Sequence, residues 1–131
     1  MQTLYLVRGL PGSGKTTLAH RIAQIVHEAD DYFMVDGEYR YDAGRIREAH
    51  NQCQERVALS LAAGYKHVAV ANTFTRRWEM ASYYQMSPAG RKPLVVEVAV
   101  NVMASSEELA ARCVHSVPVS IIAAMRERWE A

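Results

Sequence analysis

Cysteine occurs only twice in the 131 residues, at Cys53 and Cys113. The two fall in predicted helices far apart in sequence and show no metal-ligand spacing. Buried thiols in a reducing cytosol are the expectation, and with them a cytoplasmic location. Proline is held to four residues, and no low-complexity or repeated segment is present. With half the residues hydrophobic, that excludes a disordered chain. No apolar run reaches the length needed to cross a bilayer, so no membrane contact is expected. The N-terminus does not read as a signal peptide, because a glycine-rich motif begins at residue 9. Excess charge is missing too: the formal net charge is +1, so any nucleic-acid contact would have to be local. Lysine is scarce, three residues against twelve arginines, and Lys15 is one of the three. Arginine suits phosphate through its bidentate fork, though this bias alone is weak evidence. What remains is a single domain over 1–131, long enough to bury roughly two thirds of its unfolded surface.

Against these absences stands one dense motif, Gly9-Leu10-Pro11-Gly12-Ser13-Gly14-Lys15-Thr16, followed by Thr17. It fits the P-loop pattern of glycine, four residues, then Gly-Lys-Thr. The glycines let the backbone curl so that consecutive N–H groups point inward at phosphate oxygens. Gly12, Ser13, Gly14, Lys15, Thr16 and Thr17 are therefore the expected phosphate-binding residues for ATP. Lys15 is placed to reach the β- and γ-phosphates, and the Thr16 hydroxyl to ligate Mg²⁺. Thr3-Leu4-Tyr5-Leu6-Val7 before the loop reads as a buried strand. Leu18 to Val26 after it reads as a helix, apolar at 18, 19, 22, 23, 25 and 26. Strand, loop and helix is the context the motif requires, and the helix N-terminus adds its own attraction for phosphate. A glycine-rich turn that binds nothing has no need for Gly-Lys-Thr at this spacing.

Every aspartate lies between residues 30 and 42. A solvated acidic loop accounts for Asp36 and Asp42. A short strand ending at Asp30 would instead aim a carboxylate at the crevice shared with the P-loop, where Asp30 or Asp31 can take a proton or hold Mg²⁺ through water. Asp42 caps a predicted helix from about Ala43 to Ala63, closed by Gly64. Arg40, Arg45 and Arg47 are either its solvated surroundings or reach a substrate phosphate. His50, on the apolar stripe, reads as a packed histidine. His67 to Asn72 is a second strand, ending in Ala71-Asn72. Arg76 to Met86 reads as a short helix with Trp78 and Tyr83 packing, and Leu94 to Val100 as a third strand. Ser105 with Glu108 forms a capping box for a helix through about Cys113, and Pro118 opens a last helix to about Trp129. The loop between those helices is where a lid would sit. Arg112 is its candidate charge-neutralising residue, or else a helix C-terminal cation.

Strands alternating with helices imply an α/β fold, a mostly parallel sheet of about four strands flanked by helices. The chain resembles the P-loop kinases related to the bacteriophage polynucleotide 5′-hydroxyl kinase and its small cytosolic relatives. The resemblance rests on the Gly9–Ala19 stretch, Asp30-Asp31-Tyr32, Glu38-Tyr39-Arg40-Tyr41, Ala49-His50, Asn72-Thr73 with Trp78-Glu79-Met80, and Arg112 before Val117-Pro118. It implies a three-layer P-loop kinase fold, ATP and Mg²⁺ as cofactors, and a hydroxyl acceptor. Lys15, Asp30 and Arg112 would be catalytic: phosphate lysine, base toward the acceptor hydroxyl, and lid arginine. Thr16 would be the metal residue. Phe33 stands where the polynucleotide kinase has a phosphate-holding arginine, and Ala71-Asn72 where relatives carry aspartate. The acceptor is therefore a polynucleotide 5′-hydroxyl or a small molecule such as a nucleoside, sugar or antibiotic. An ATP-binding regulatory module without turnover is the alternative. No protein partner is evident.

Overall fold

The computed structural model describes residues 1–131. Its strands are β1 (Thr3–Arg8), β2 (Ile25–His27), β3 (Met34–Val35), β4 (Glu38–Tyr39), β5 (His67–Asn72) and β6 (Leu94–Ala99). The helices are α1 (Lys15–Ile22), α2 (Ile46–Ala62), α3 (Ala81–Tyr84), α4 (Ser106–Arg112) and α5 (Val119–Glu127). Four strands form one parallel sheet in the order β2-β5-β1-β6, while β3 and β4 make a separate hairpin. No helix is long and apolar enough to cross a membrane.

Period-two alternation in the two central strands sorts the core into layers. Leu4, Leu6, Val68 and Val70 face the α2 side, packed with Ala49, Cys53, Val57 and Leu61 of that helix and with Phe74, Met80 and Tyr83. The opposite face presents Val7, Ala69 and Ala71 to Ala19 of α1. Alanines on both sides let the α1 backbone come close to the sheet, which holds the loop before it rigidly against the strand ends. A third cluster, Leu10, Leu109 and Ile122, joins α4 and α5 to the loop.

Local signals set most boundaries. The Asp42 carboxylate accepts the Gly44 N–H at 2.9 Å and opens a 3₁₀ turn leading into α2. Gly64, at φ 92°, ends α2: its N–H donates to the Leu61 carbonyl at 3.1 Å and the Tyr65 N–H to Ser60 at 3.4 Å. That is the Schellman pattern. Ser105 Oγ accepts the Glu108 N–H at 3.1 Å at the start of α4.

Two expected elements come out differently. The helix expected through Val26 stops at Ile22, and Ile25 to His27 instead forms β2 at the sheet edge. Apolar residues at 22, 23, 25 and 26 fit either period, and tertiary pairing decides. Gln24 donates its N–H to the His67 carbonyl at 3.0 Å, and its side-chain oxygen accepts the Lys66 and His67 N–H groups. Consequently Asp30 lies not at a strand end but in a 3₁₀ turn, Ala29–Phe33. The segment expected as one helix over 76–86 splits into a 3₁₀ turn, Arg77–Met80, and the single turn of α3. Met80 and Tyr83 take its inward face, so Trp78, expected to pack, falls on the other side and is 73% exposed.

Arg8, the last residue of β1, is buried yet charged. Its guanidinium donates to the Phe74 carbonyl at 2.7 Å and to the Glu130 carbonyl at 2.5 Å, and lies 4.2 Å from the Trp129 ring centroid. It thereby clamps the end of the chain beneath the sheet. Arg8→Met should retain the apolar stem, strand two carbonyls, and lower stability by about 2–4 kcal/mol in urea denaturation. A second expectation concerns acid. His27 Nε2 and Ser60 Oγ are hydrogen-bonded at 2.7 Å, joining β2 to α2. Burial lowers the His27 pKa below its usual 6.5, helped by Arg56 and opposed by Asp31. The unfolded chain then binds more protons here than the native one, so stability falls as pH drops below about 6.5. His27→Gln should flatten that acid slope, read as thermal midpoints across the same pH range.

Candidate active site

The loop between β1 and α1 turns back on itself through a Ser13 N–H to Leu10 carbonyl bond of 3.1 Å. It then passes through two left-handed residues, Gly12 at φ 83° and Gly14 at φ 91°. Gly14 caps α1 without any side-chain hydrogen bond, and the first turn of α1 contains no acidic residue. The opening N–H groups of that helix have no intrahelical acceptors, and the helix dipole adds partial positive charge there. Asn101, just beyond β6, donates to the Ser13 carbonyl at 2.6 Å and fixes the loop from the sheet side. On its far side Gly12 touches α4: a β-carbon there would stand 2.1 Å from the Leu109 carbonyl oxygen. The result is a preformed anion cradle, with backbone donors and no acidic side chain of its own.

Lys15 and Thr16 open α1 and are half-buried. Burial lowers the Lys15 pKa, with the Glu28 and Asp30 carboxylates acting against it. Thr16 Oγ1 donates to Glu28 Oε1 at 2.5 Å. Burial raises the Glu28 pKa, and the Thr16 hydrogen bond opposes that rise. Glu28 also begins the 3₁₀ turn: its side chain accepts the Asp31 N–H, and Asp31 Oδ2 accepts the Glu28 N–H at 3.1 Å. Asn72, which with Ala71 stands where relatives carry aspartate, is buried and already engaged. Its Oδ1 accepts the Ala29 N–H at 2.9 Å, and its Nδ2 faces Cys53 Sγ at 3.8 Å. The end of β5 therefore props up the turn that carries Glu28 and Asp30.

Asp30 is exposed, and Tyr39 of β4 donates its hydroxyl to Asp30 Oδ1 at 3.1 Å. The hairpin that delivers Tyr39 turns at Asp36 (φ 51°) and Gly37 (φ 81°), the left-handed pair of a type I′ turn. The Tyr39 ring stacks on His115, 3.7 Å between centroids and 11° between planes. His115 belongs to the loop over 113–118 between α4 and α5. That loop thus touches the acceptor side through His115 and borders the P-loop through Cys113. Arg112 lies exposed at its base, outside the surface ion pairs. Lys15 and Thr16 lie near the segment carrying Glu28 and Asp30, after Gly12, Ser13 and Gly14 of the loop and before Thr17 in the first turn of α1, while Arg112 faces solvent. At the far end of the Ala29–Phe33 turn an open cleft of about 750 Å³ is lined by Tyr32, Phe33, Arg40, Tyr41 and Arg45 among others, with Asp30 outside its wall. Phe33 is buried beneath it, and Arg47 is not part of its wall. Sequence reasoning assigns no role to Glu28, Asn101 or His115, and names Tyr39 only within the resemblance. The Asp36-Gly37 hairpin signal is the local pointer to Tyr39.

The two left-handed glycines separate strain from crowding. Gly14 has no atom near an added β-carbon, so Gly14→Ala should cost only the left-handed strain of about 1–2 kcal/mol. Gly12→Ala meets that strain and the Leu109 carbonyl, adding roughly 1–3 kcal/mol of overpacking. Urea denaturation of both variants should rank them in that order.

Comparison with known proteins gives this geometry a setting. The profile of the AAA domain family matches residues 4–131. Human NEDD4-binding protein 2 is 32% identical over 133 residues, spanning 97% of this chain but only 8% of that protein. A chain of the Pnkp1/Rnl/Hen1 RNA repair complex superposes with a TM-score of 0.71 at 18% identity, over 97% of this chain and 43% of that one. A sugar kinase from Janibacter sp. HTCC2649 gives 0.67 at 19%, over 100% and 79%. These solved structures share the three-layer fold, a parallel sheet between helices. With a family profile running almost end to end and a kinase-type fold around its P-loop, this chain belongs to the AAA domain family of P-loop proteins.

Proposed function

We propose that the domain is an ATP-dependent kinase that transfers the γ-phosphoryl group of ATP to a hydroxyl. The observation that carries this reading is the glycine loop running into Lys15, with the Asp30 carboxylate near enough to be felt there. A half-buried ammonium ends the glycine loop, and a carboxylate steadied by Tyr39 lies close enough to act on it electrostatically. In this reading the loop amides and Lys15 neutralise the phosphates, and Thr16 ligates Mg²⁺. Mg²⁺, when bound, would supply charge neutralisation to the phosphates. Asp30 accepts the proton of the acceptor hydroxyl as its oxygen bonds to the γ-phosphorus and ADP departs. Arg112 swings in from the base of the 113–118 loop to meet the transferred group.

The cleft along residues 32–45 offers aromatic faces and guanidinium groups, a lining that suits the end of a nucleic-acid strand. Kinship with a chain from an RNA repair complex supports that acceptor, a polynucleotide 5′-hydroxyl. A small uncharged acceptor has its own support. Arg40 is paired with Glu38 and Arg45 with Glu48, and Phe33 lies buried where the resemblance calls for arginine. Kinship with a sugar kinase agrees with that second reading.

Transfer of label from γ-labelled ATP with Mg²⁺ tests both, offered to a 5′-hydroxyl oligonucleotide and, separately, to sugars and nucleosides. Asp30→Asn is expected to keep ATP affinity and lose turnover by a factor on the order of 10² to 10⁴. Lys15→Ala is expected to lose nucleotide binding itself. Undiminished turnover in Asp30→Asn removes Asp30 from the role. ATP that is bound yet never consumed, whatever the acceptor, leaves a nucleotide-binding module without turnover.

A further inference from the structure

In a P-loop site the hydroxyl after the lysine meets the metal, and a nearby acid usually supports it. The end of β5 supplies no acid here, because Ala71 is apolar and Asn72 is engaged with Ala29 and Cys53. Among the acids near the loop, Asp31 is occupied with the Glu28 N–H, and Asp30 leans on Tyr39. Glu28 alone hydrogen-bonds the Thr16 hydroxyl, at 2.5 Å. From this we infer that Glu28 is the metal-positioning residue of the site, taking over the part that an acid at the end of β5 would otherwise play. The inference rests on the kinase reading above.

The chemistry follows from the hydroxyl's inventory of one proton and two lone pairs. Donation of the Thr16 proton to Glu28 turns the lone pairs away from the carboxylate, toward the mouth of the P-loop. It also raises electron density on the oxygen that meets the cation. A carboxylate beside Lys15 leaves the cradle less positive than a bare phosphate site, which suits a nucleotide arriving with its divalent cation. The residues present fit Mg²⁺ in this respect: one hydroxyl and one carboxylate, all oxygen, with the nucleotide's own phosphates completing the shell. Support for the carboxylate comes from the neighbouring strand. Asn72 holds the Ala29 N–H, so the backbone directly after Glu28 is anchored to β5. The acid has in effect moved one strand over, from the end of β5 to the end of β2.

A purely structural role for Glu28, as cap of the 3₁₀ turn, makes a different forecast. Glu28→Gln keeps an oxygen that can accept both the Thr16 hydroxyl and the Asp31 amide, and it removes only the charge. The measurement is ATP affinity by calorimetry, first in EDTA and then across a Mg²⁺ titration, with thermal denaturation as the fold control. Glu28→Gln is expected to bind ATP in EDTA no more weakly than wild type, because a negative charge beside Lys15 is removed, while the Mg²⁺ concentration giving half of the metal-dependent gain rises about tenfold to a hundredfold. Glu28→Asp, which keeps the charge, is expected to recover most of that loss. An unchanged Mg²⁺ midpoint in a folded Glu28→Gln overturns the assignment and leaves the kinase reading standing. So does equal weakening of metal-free ATP binding in both variants, the signature of a cap alone. Failure of wild type to bind ATP at all overturns both.

Discussion

At Gly12 no side chain fits between the P-loop and α4, and the candidate site is arranged around that contact. The Leu109 carbonyl occupies the space where a β-carbon on residue 12 would project. Helix α4 and the loop after it are therefore seated directly on the phosphate cradle. From there the contacts run in a ring. The 113–118 loop carries His115 to Tyr39, Tyr39 holds Asp30, the Asp30 turn starts at Glu28, and Glu28 takes the Thr16 hydroxyl. Individual links of this kind contribute on the order of 1 kcal/mol. The ring is held by closure, since moving any member requires its neighbours to move as well.

Electrostatically the cradle is balanced. Burial drives Lys15 toward its neutral form and Glu28 likewise, and their mutual attraction pushes each back toward charge. Neither group is removed far enough from water to carry the heavy desolvation cost of a buried ion pair. Fixed amide dipoles at the start of α1 supply positive potential that does not titrate. The half of the site that titrates and the half that does not are thus built from different groups: the side chains of Lys15 and Glu28 in one, the backbone of α1 in the other.

The parts of this fold legible in the sequence are those governed by local rules. Gly9 to Thr16 announced the loop through glycine and lysine spacing, Gly64 marked the end of α2, and Ser105 with Glu108 marked the start of α4. Each depends on conformations or hydrogen bonds within a few residues. The apolar pairs at 22, 23, 25 and 26 were ambiguous, and the choice fell to β5, which lies more than forty residues on and pairs with Ile25 to His27. Trp78 misled for a related reason: a 3₁₀ turn rotates its side chains differently from the α-helix that periodicity suggested. Glu28 escaped notice because its meaning comes from Thr16 and Asn72, contacts that no pattern in residues 25 to 33 reveals.

The position of β1 bears on how the chain reaches this state. Both of its neighbours lie far along the sequence: Leu4 pairs with Val68 on one side and Val95 on the other. Arg8 at its end waits for Phe74 and Glu130, the latter 122 residues along. Contacts so distant in sequence must repay a large loop-closure entropy before they stabilise anything, which favours slow, highly cooperative folding. The strand that presents the phosphate loop is therefore among the last to be locked, and an incompletely folded chain has no cradle to offer.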